Sequence, residues 1–131
     1  MTAPRVVLDT SVLISGLLGG SSVPVLRGWR RGDFTLVISS EIYEEYEAVL
    51  KRQKFGLPLT LVEELLSFIK EEAIWVEPDI ELDIVRDPSD DKFLEAAVDG
   101  KANVVVSNDR DLLDLKCVKD VSIVPPWEFV T

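Results

Sequence analysis

Short, uniformly apolar runs alternate along this chain with longer stretches of helical period, and that alternation sets the expected fold. Residues 5–8 end in Val6-Val7-Leu8 and read as a strand buried on both faces, because no polar residue interleaves the apolar ones. The next apolar segment, 12–18, predicts a small helix introduced by Thr10-Ser11 and stopped by Gly19-Gly20. Residues 22–31 predict a second helix with Val25, Leu26 and Trp29 on one side, and Gly32-Asp33 turns the chain into a second strand at 34–38. Ser39-Ser40 then cap a third helix from residue 41 to about 53, whose buried stripe is Ile42, Tyr43, Tyr46, Val49 and Leu50.

Phe55-Gly56-Leu57-Pro58 breaks that helix. Thr60-Leu61-Val62-Glu63 has the form of a capping box opening the next one, which runs on Val62, Leu65, Leu66 and Ile69 to about residue 73. A short strand at 74–76 ends before Pro78, and residues 79–88 are acidic and irregular, since the residue before Pro88 is pushed out of helix. Asp90 and Asp91 fall in the first turn of a helix with Phe93, Leu94, Ala97 and Val98 as its inward stripe. Val104-Val105-Val106 is the most apolar strand, Asp109 caps a short helix at 110–115, and residues 121–124 form a last, edge-like strand. The aromatic tail Trp127-Glu128-Phe129 is expected to pack. Strands separated by helical crossovers predict the α/β class, as a three-layer α/β/α domain with a central parallel sheet of about four or five strands.

Composition narrows the picture. The 131 residues, 47% hydrophobic and 29% charged, are expected to form one globular domain spanning 1–131. Apolar runs fall far short of the ~20 residues that cross a bilayer, and the first residues do not have the form of a signal peptide. The single cysteine, Cys117, allows no internal disulfide, agrees with a reducing cytoplasm and is expected to serve ordinary packing. The net charge of −10 opposes a nucleic-acid ligand on its face, although a bound divalent ion reverses the local sign. The absence of histidine excludes His-based general base catalysis, Ser-His-Asp triads and His-zinc sites. Oxygen donors remain in quantity, and they suit Mg²⁺ or Mn²⁺.

The acids are placed where strands stop and helices start. Asp9, Asp90 and Asp109 all stand at helix starts, and two of them directly follow uniformly apolar strands. Each has an ordinary explanation as an N-cap or a first-turn acid. Together they have a sharper one. If those strands are neighbours, their carboxyl ends lie ~5 Å apart, the carboxylates converge, and repulsion of about 4 kcal/mol per pair at ~4 Å must be offset. A divalent ion does this directly. On the third helix, Glu45 and Glu47 flank the apolar stripe on opposite sides, and periodicity does not choose between them. Arg27, Arg30 and Arg31 cluster toward the end of the second helix, where they suit its dipole or guide a phosphate backbone.

At this level the chain resembles the PIN domain family over essentially its whole length. Val7-Leu8-Asp9-Thr10-Ser11-Val12 looks like the opening hallmark, and residues 39–50 like the segment that carries a glutamate. Asp87-Pro88-Ser89-Asp90 followed by Phe93, Leu94 and Ala97 looks like the third motif, and residues 106–112, Val-Ser-Asn-Asp-Arg-Asp-Leu, like the fourth. The resemblance implies a PIN-like fold with Asp9, Glu45, Asp90 and Asp109 as catalytic, metal-binding acids. Glu45 is preferred to Glu47, and Asp90 to Asp91, by position in the motifs. Thr10, Ser11, Ser107 and Asp111 would support the site or the substrate phosphate. Asn108 stands where a glycine or arginine often precedes the fourth acid.

The implied activity is that of a cytoplasmic Mg²⁺- or Mn²⁺-dependent endoribonuclease, with closest likeness to the stand-alone prokaryotic toxins of the VapC type. A small antitoxin partner and a homodimer are implied by the same likeness. Two rival readings exist. Asp109-Arg110-Asp111 after an apolar strand also looks like the Asp-x-Asp element of Toprim phosphotransfer domains, but that class wants a glutamate where Asp9 stands. A catalytically silent PIN-like binding module would have lost acids, and all four are present.

Overall fold

The computed structural model describes residues 3–130. Its strands are β1 (Arg5–Leu8), β2 (Thr35–Ile38), β3 (Ile74–Trp75), β4 (Val104–Val106), β5 (Cys117–Val118) and β6 (Val121–Val124). They form one six-stranded sheet in the order β3-β2-β1-β4-β6-β5, parallel except for the antiparallel β5–β6 pair. The helices are α1 (Thr10–Leu17), α2 (Val23–Arg31), α3 (Ser40–Leu50), α4 (Leu59–Glu72), α5 (Asp91–Asp99), α6 (Arg110–Leu113) and α7 (Pro126–Phe129). This is the expected α/β architecture, consistent with α/β/α layering.

The uniform apolarity of β1 and β4 follows from their central position. Val6, Val7, Leu8, Val105 and Val106 are fully buried, as strands covered on both faces must be. Helix α5 lies against both of these strands through Phe93, Leu94, Ala96 and Ala97, which are likewise buried. From β1 the chain moves outward to β2 and β3, then crosses back to β4 on the other side of β1 and onward to β6. The direction of winding therefore reverses between β1 and β4. In an open α/β sheet, a crevice forms at the carboxyl ends of the strands at such a reversal.

Several local expectations are corrected. The strand at 121–124 is internal to the sheet, because Cys117–Val118 folds back on it as the outermost strand through a tight connection with Lys119 at φ 51°. Cys117 is consequently exposed, where ordinary packing was expected. The capping box at 60–63 does not form: α4 begins at Leu59 after Pro58, without a side-chain cap, so Thr60 lies inside the first turn. Helix α3 stops at Leu50, and a separate 3₁₀ turn occupies Gln53–Phe55. Of the tail, Phe129 packs edge-on against Phe34 at 5.2 Å, while Trp127 is 70% exposed. Among the described residues no helix is long and apolar enough to cross a membrane.

Candidate active site

Asp9 immediately follows β1, and its backbone N–H continues the ladder to the Val106 carbonyl at 2.9 Å. The chain then turns into α1, with the Asp9 carboxylate accepting at the helix start from the Ser11 N–H at 3.5 Å. Its other oxygen accepts from the Ser107 hydroxyl at 2.6 Å and from the Ser11 hydroxyl at 3.1 Å. Ser107 is the residue after β4, so a hydroxyl at the end of one central strand holds the acid at the end of its neighbour. The same Ser107 oxygen accepts the Asp109 N–H at 2.8 Å. Burial pushes the Asp9 carboxyl up from its ordinary range; the two serine hydroxyls oppose that shift, and the Asp109 charge adds to it.

Asp109 caps α6, accepting from the Asp111 N–H at 2.9 Å. Asp111 thus bears on the site through its backbone. Asp90 arrives from a different part of the chain. It ends a 3₁₀ turn at Pro88–Asp90 and stands at the start of α5, where its side chain makes no capping hydrogen bond. The cap of the 3₁₀ turn is Asp87, which accepts from the Ser89 N–H and hydroxyl. That local bonding holds Asp87 below the usual carboxylate range, with the Lys92 charge assisting. The Asp90 carboxyl, free of such work, lies near enough to Asp109 and Asp9 to be raised by both. Burial first, then the neighbouring Asp109 carboxyl and the charges of Asp9 and Asp87, push Asp90 up to about 7.

The neighbouring candidates separate by their partners. Asp91 is buried and points back to the preceding loop, accepting from the Ile84 N–H at 3.2 Å and the Val85 N–H at 3.0 Å. Glu47 pairs with Lys51 one turn on at 3.2 Å, with its side chain 45% exposed. Glu45, 27% exposed, accepts from the Thr10 hydroxyl and pairs with the Lys92 ammonium at 2.7 Å. Thr10 is the residue after Asp9, so this bond draws Glu45 toward the same crevice. Beneath it, Tyr46 is fully buried and donates to the Leu8 carbonyl at 2.5 Å, tying α3 to the last residue of β1. Sequence reasoning passed over Tyr46 as a member of the apolar stripe. The available signal was its hydroxyl, which needs a partner when buried.

The structure does not bring Arg27, Arg30 and Arg31 to the acids. A crossover helix runs back against its strands, so α2 ends where β2 begins, and β2 starts beside Arg5 at the opposite end of the sheet. Arg31 is spent on Asp33 at 2.7 Å, and Arg27 and Arg30 line a groove of about 450 Å³ between α2 and α4. Lys51 pairs with Glu47 and Glu63.

Among the described residues, no three carboxylates stand close enough to form a ready metal cage. In chemistry the donor set nonetheless suits a hard divalent cation: Asp9, Asp90 and Asp109 are oxygen donors that raise one another's proton affinity, and a cation would offset that mutual repulsion.

This arrangement makes the protein's stability depend on pH in a definite direction. Asp90 binds its proton more tightly in the folded chain, at about 7, than at its ordinary 3.8. Above pH 7 the folded state therefore carries the cost of an ionised, crowded carboxylate, and this cost is relieved as pH falls from 7 toward 4. The metal-free protein is expected to melt higher at pH 5.5 than at pH 8, with about 1–2 kcal/mol coming from Asp90 after solvent screening. Melting curves of the wild type and Asp90→Asn at both pH values isolate this part from the general relief of the −10 net charge. Equal pH dependence in the two proteins would exclude it.

Comparison with known proteins agrees with the fold. A family model described as the PIN domain matches residues 5–111. The chain is similar to the uncharacterized protein MJ1680 of Methanocaldococcus jannaschii, 26% identical over 125 residues that cover 86% of this chain and 75% of that protein.

Proposed function

The chain belongs to the PIN domain family, whose members are generally nucleases that act on RNA with divalent metals, and from that premise we propose that it is a Mg²⁺- or Mn²⁺-dependent endoribonuclease. The observation that carries the reading is that Ser107 joins buried Asp9 to Asp109 at the carboxyl ends of β1 and β4, with Asp90 crowded by both charges. Structural carboxylates are placed to be ionised and paired. These are placed to repel, which is a cost that function explains.

In this reading Asp9, Asp90, Asp109 and Glu45 are the acids of the site. When bound, a divalent ion supplies a water of lowered pKa and neutralises charge on the phosphate oxygens. The chain's own residues do the placing. Ser107 fixes the orientation of Asp9 and, through the Asp109 N–H, the start of α6. Ser11 holds the same Asp9 oxygen, and Thr10 holds Glu45. Hydrolysis of the phosphodiester then needs a backbone phosphate set against this crevice, with the attacking oxygen in line with the leaving one.

The finer role follows from likeness to the stand-alone prokaryotic toxins: a toxin restrained by a small antitoxin, acting in the cytoplasm as a homodimer. Co-expression with the product of the adjacent reading frame tests it, and the role fails if no small neighbouring protein binds and silences the nuclease.

The activity is tested on the full chain with a mixed RNA substrate in Mn²⁺, in EDTA, and with Asp109→Asn. Cleavage is expected with Mn²⁺ only, and only with Asp109 intact. Cleavage that survives both chelation and the substitution would overturn a carboxylate-held metal mechanism.

A further inference from the structure

The stretch that leads into the crevice is held without any backbone ladder. Residues 79–85 belong to no helix or strand and take part in no backbone–backbone hydrogen bond. Five of their N–H groups donate instead to carboxylates on α5. Asp79 and Ile80 donate to one oxygen of Asp99 at 2.6 and 3.0 Å, Leu82 to Glu95 at 2.9 Å, and Ile84 and Val85 to one oxygen of Asp91 at 3.2 and 3.0 Å. The three acceptors stand four residues apart, so they share one face of the helix and are separated by ~6 Å along its axis. Two residues of extended chain advance ~6.6 Å. The acids therefore match every second N–H of a chain running the other way, and the intervening N–H groups of Glu81 and Asp83 reach no acceptor among the described residues.

Segment and helix thus make a hairpin with one extended arm and one helical arm, and the 3₁₀ turn at Pro88–Asp90 is its tip. The tip carries Asp90, and Lys92 pins it from the helix side through the Ser89 carbonyl at 2.6 Å. Burial of Val85 is non-directional and does not by itself set the register of the extended arm. Hydrogen bonds to ionised acceptors do. Accepting the nuclease reading above, on which this step rests, we propose that Glu95 and Asp99 are positioning residues of the crevice: they zip the extended arm to α5 and so set where the tip presents Asp90. Both act through the arm, about one and two helical turns beyond Asp91.

Amide hydrogen exchange of the full chain, followed by NMR without added metal, tests the zipper independently of cleavage. Protection is expected at Ile80, Leu82 and Ile84 and not at Glu81 and Asp83; uniform exchange across residues 79–85 overturns the proposal whatever the protein does to RNA. Cleavage of the mixed RNA in Mn²⁺ is then compared for the wild type, Glu95→Ala, Glu95→Gln and Asp99→Ala at a temperature where all are folded. Glu95→Ala is expected to lower kcat about tenfold with KM within about twofold, since small misplacements of a reacting group are costly. Asp99→Ala is expected to lower kcat less, and Glu95→Gln, which keeps an acceptor oxygen, to recover most of the loss. A purely structural arm would lower the melting temperature and leave kcat unchanged, and that result overturns the proposal; if Glu95→Ala does not fold, Asp99→Ala decides by the same criterion. A wild type that cleaves nothing overturns the nuclease reading and this step together, whereas a cleaving wild type matched by the alanine variants overturns this step alone.

Discussion

Asp90→Asn is expected to abolish Mn²⁺-dependent RNA cleavage, by about 10³-fold or more, while raising the melting temperature of the metal-free protein. In the proposed reading, the loss follows from removing one of the carboxylates that would hold a divalent ion against the phosphate, a contribution of several kcal/mol to the barrier. The gain follows from the same carboxylate's surroundings. Asp90 is crowded by Asp9, Asp109 and Asp87, and its side chain caps nothing, so a neutral isostere loses no capping bond and relieves the repulsion. At pH 8 that relief is worth about 1–2 kcal/mol after screening, or about 3–6 °C in a domain of this size. Parallel cleavage assays and melting curves check the pair of effects. Retained cleavage would remove Asp90 from the chemistry, and a lowered melting temperature would show that the acids do not repel as described.

Asp91→Ala is expected to do the reverse to stability, lowering it by about 3 kcal/mol, or roughly 10 °C. The Asp91 carboxylate is only 5% exposed and accepts two backbone N–H groups from the loop that leads into the site. Truncation strands both donors, of which the N–H of Val85 belongs to a buried residue. Hydrogen bonds to an ionised acceptor are among the stronger ones, and an orphaned buried donor carries its full desolvation cost. Because the loop anchors the turn that presents Asp90, weaker Mn²⁺ binding is expected to accompany the instability. Asp91→Asn retains an acceptor oxygen and is expected to fall between wild type and alanine. Chemical denaturation midpoints measure the series; an alanine variant as stable as wild type would mean that the loop is held by something else.

These adjacent aspartates show what a sequence can and cannot resolve. Both lie at the opening of α5, and both satisfy the preference for acids near a helix N-terminus. Their separation comes from contacts at a distance: Asp91 reaches the loop at 84–85, and Asp90 reaches Asp109 across the crevice. Glu45 and Glu47 divide in the same way. The apolar stripe of α3 leaves both at its margins, and only the approach of α1 and α5 gives Glu45 the partners Thr10 and Lys92, while Glu47 finds Lys51 within its own helix end. The arginines of α2 mark the opposite error. Their spacing gathers three positive charges, but a crossover helix must return to the far end of the sheet, and the charges go with it.

The sequence by itself determined what depends on residues a few positions apart: the buried strands, most helix starts and stops, the acids at strand ends, and the order of motifs that marks a PIN domain. Local sterics, capping and burial period act over such distances, so they are written in consecutive residues. Only the tertiary structure decided that β1 and β4 are neighbours, that Ser107 clasps Asp9 from 98 residues away, and that Lys92 stands at Glu45. Those outcomes depend on how crossovers wind around the sheet and which side chains then share a volume, which no local pattern encodes.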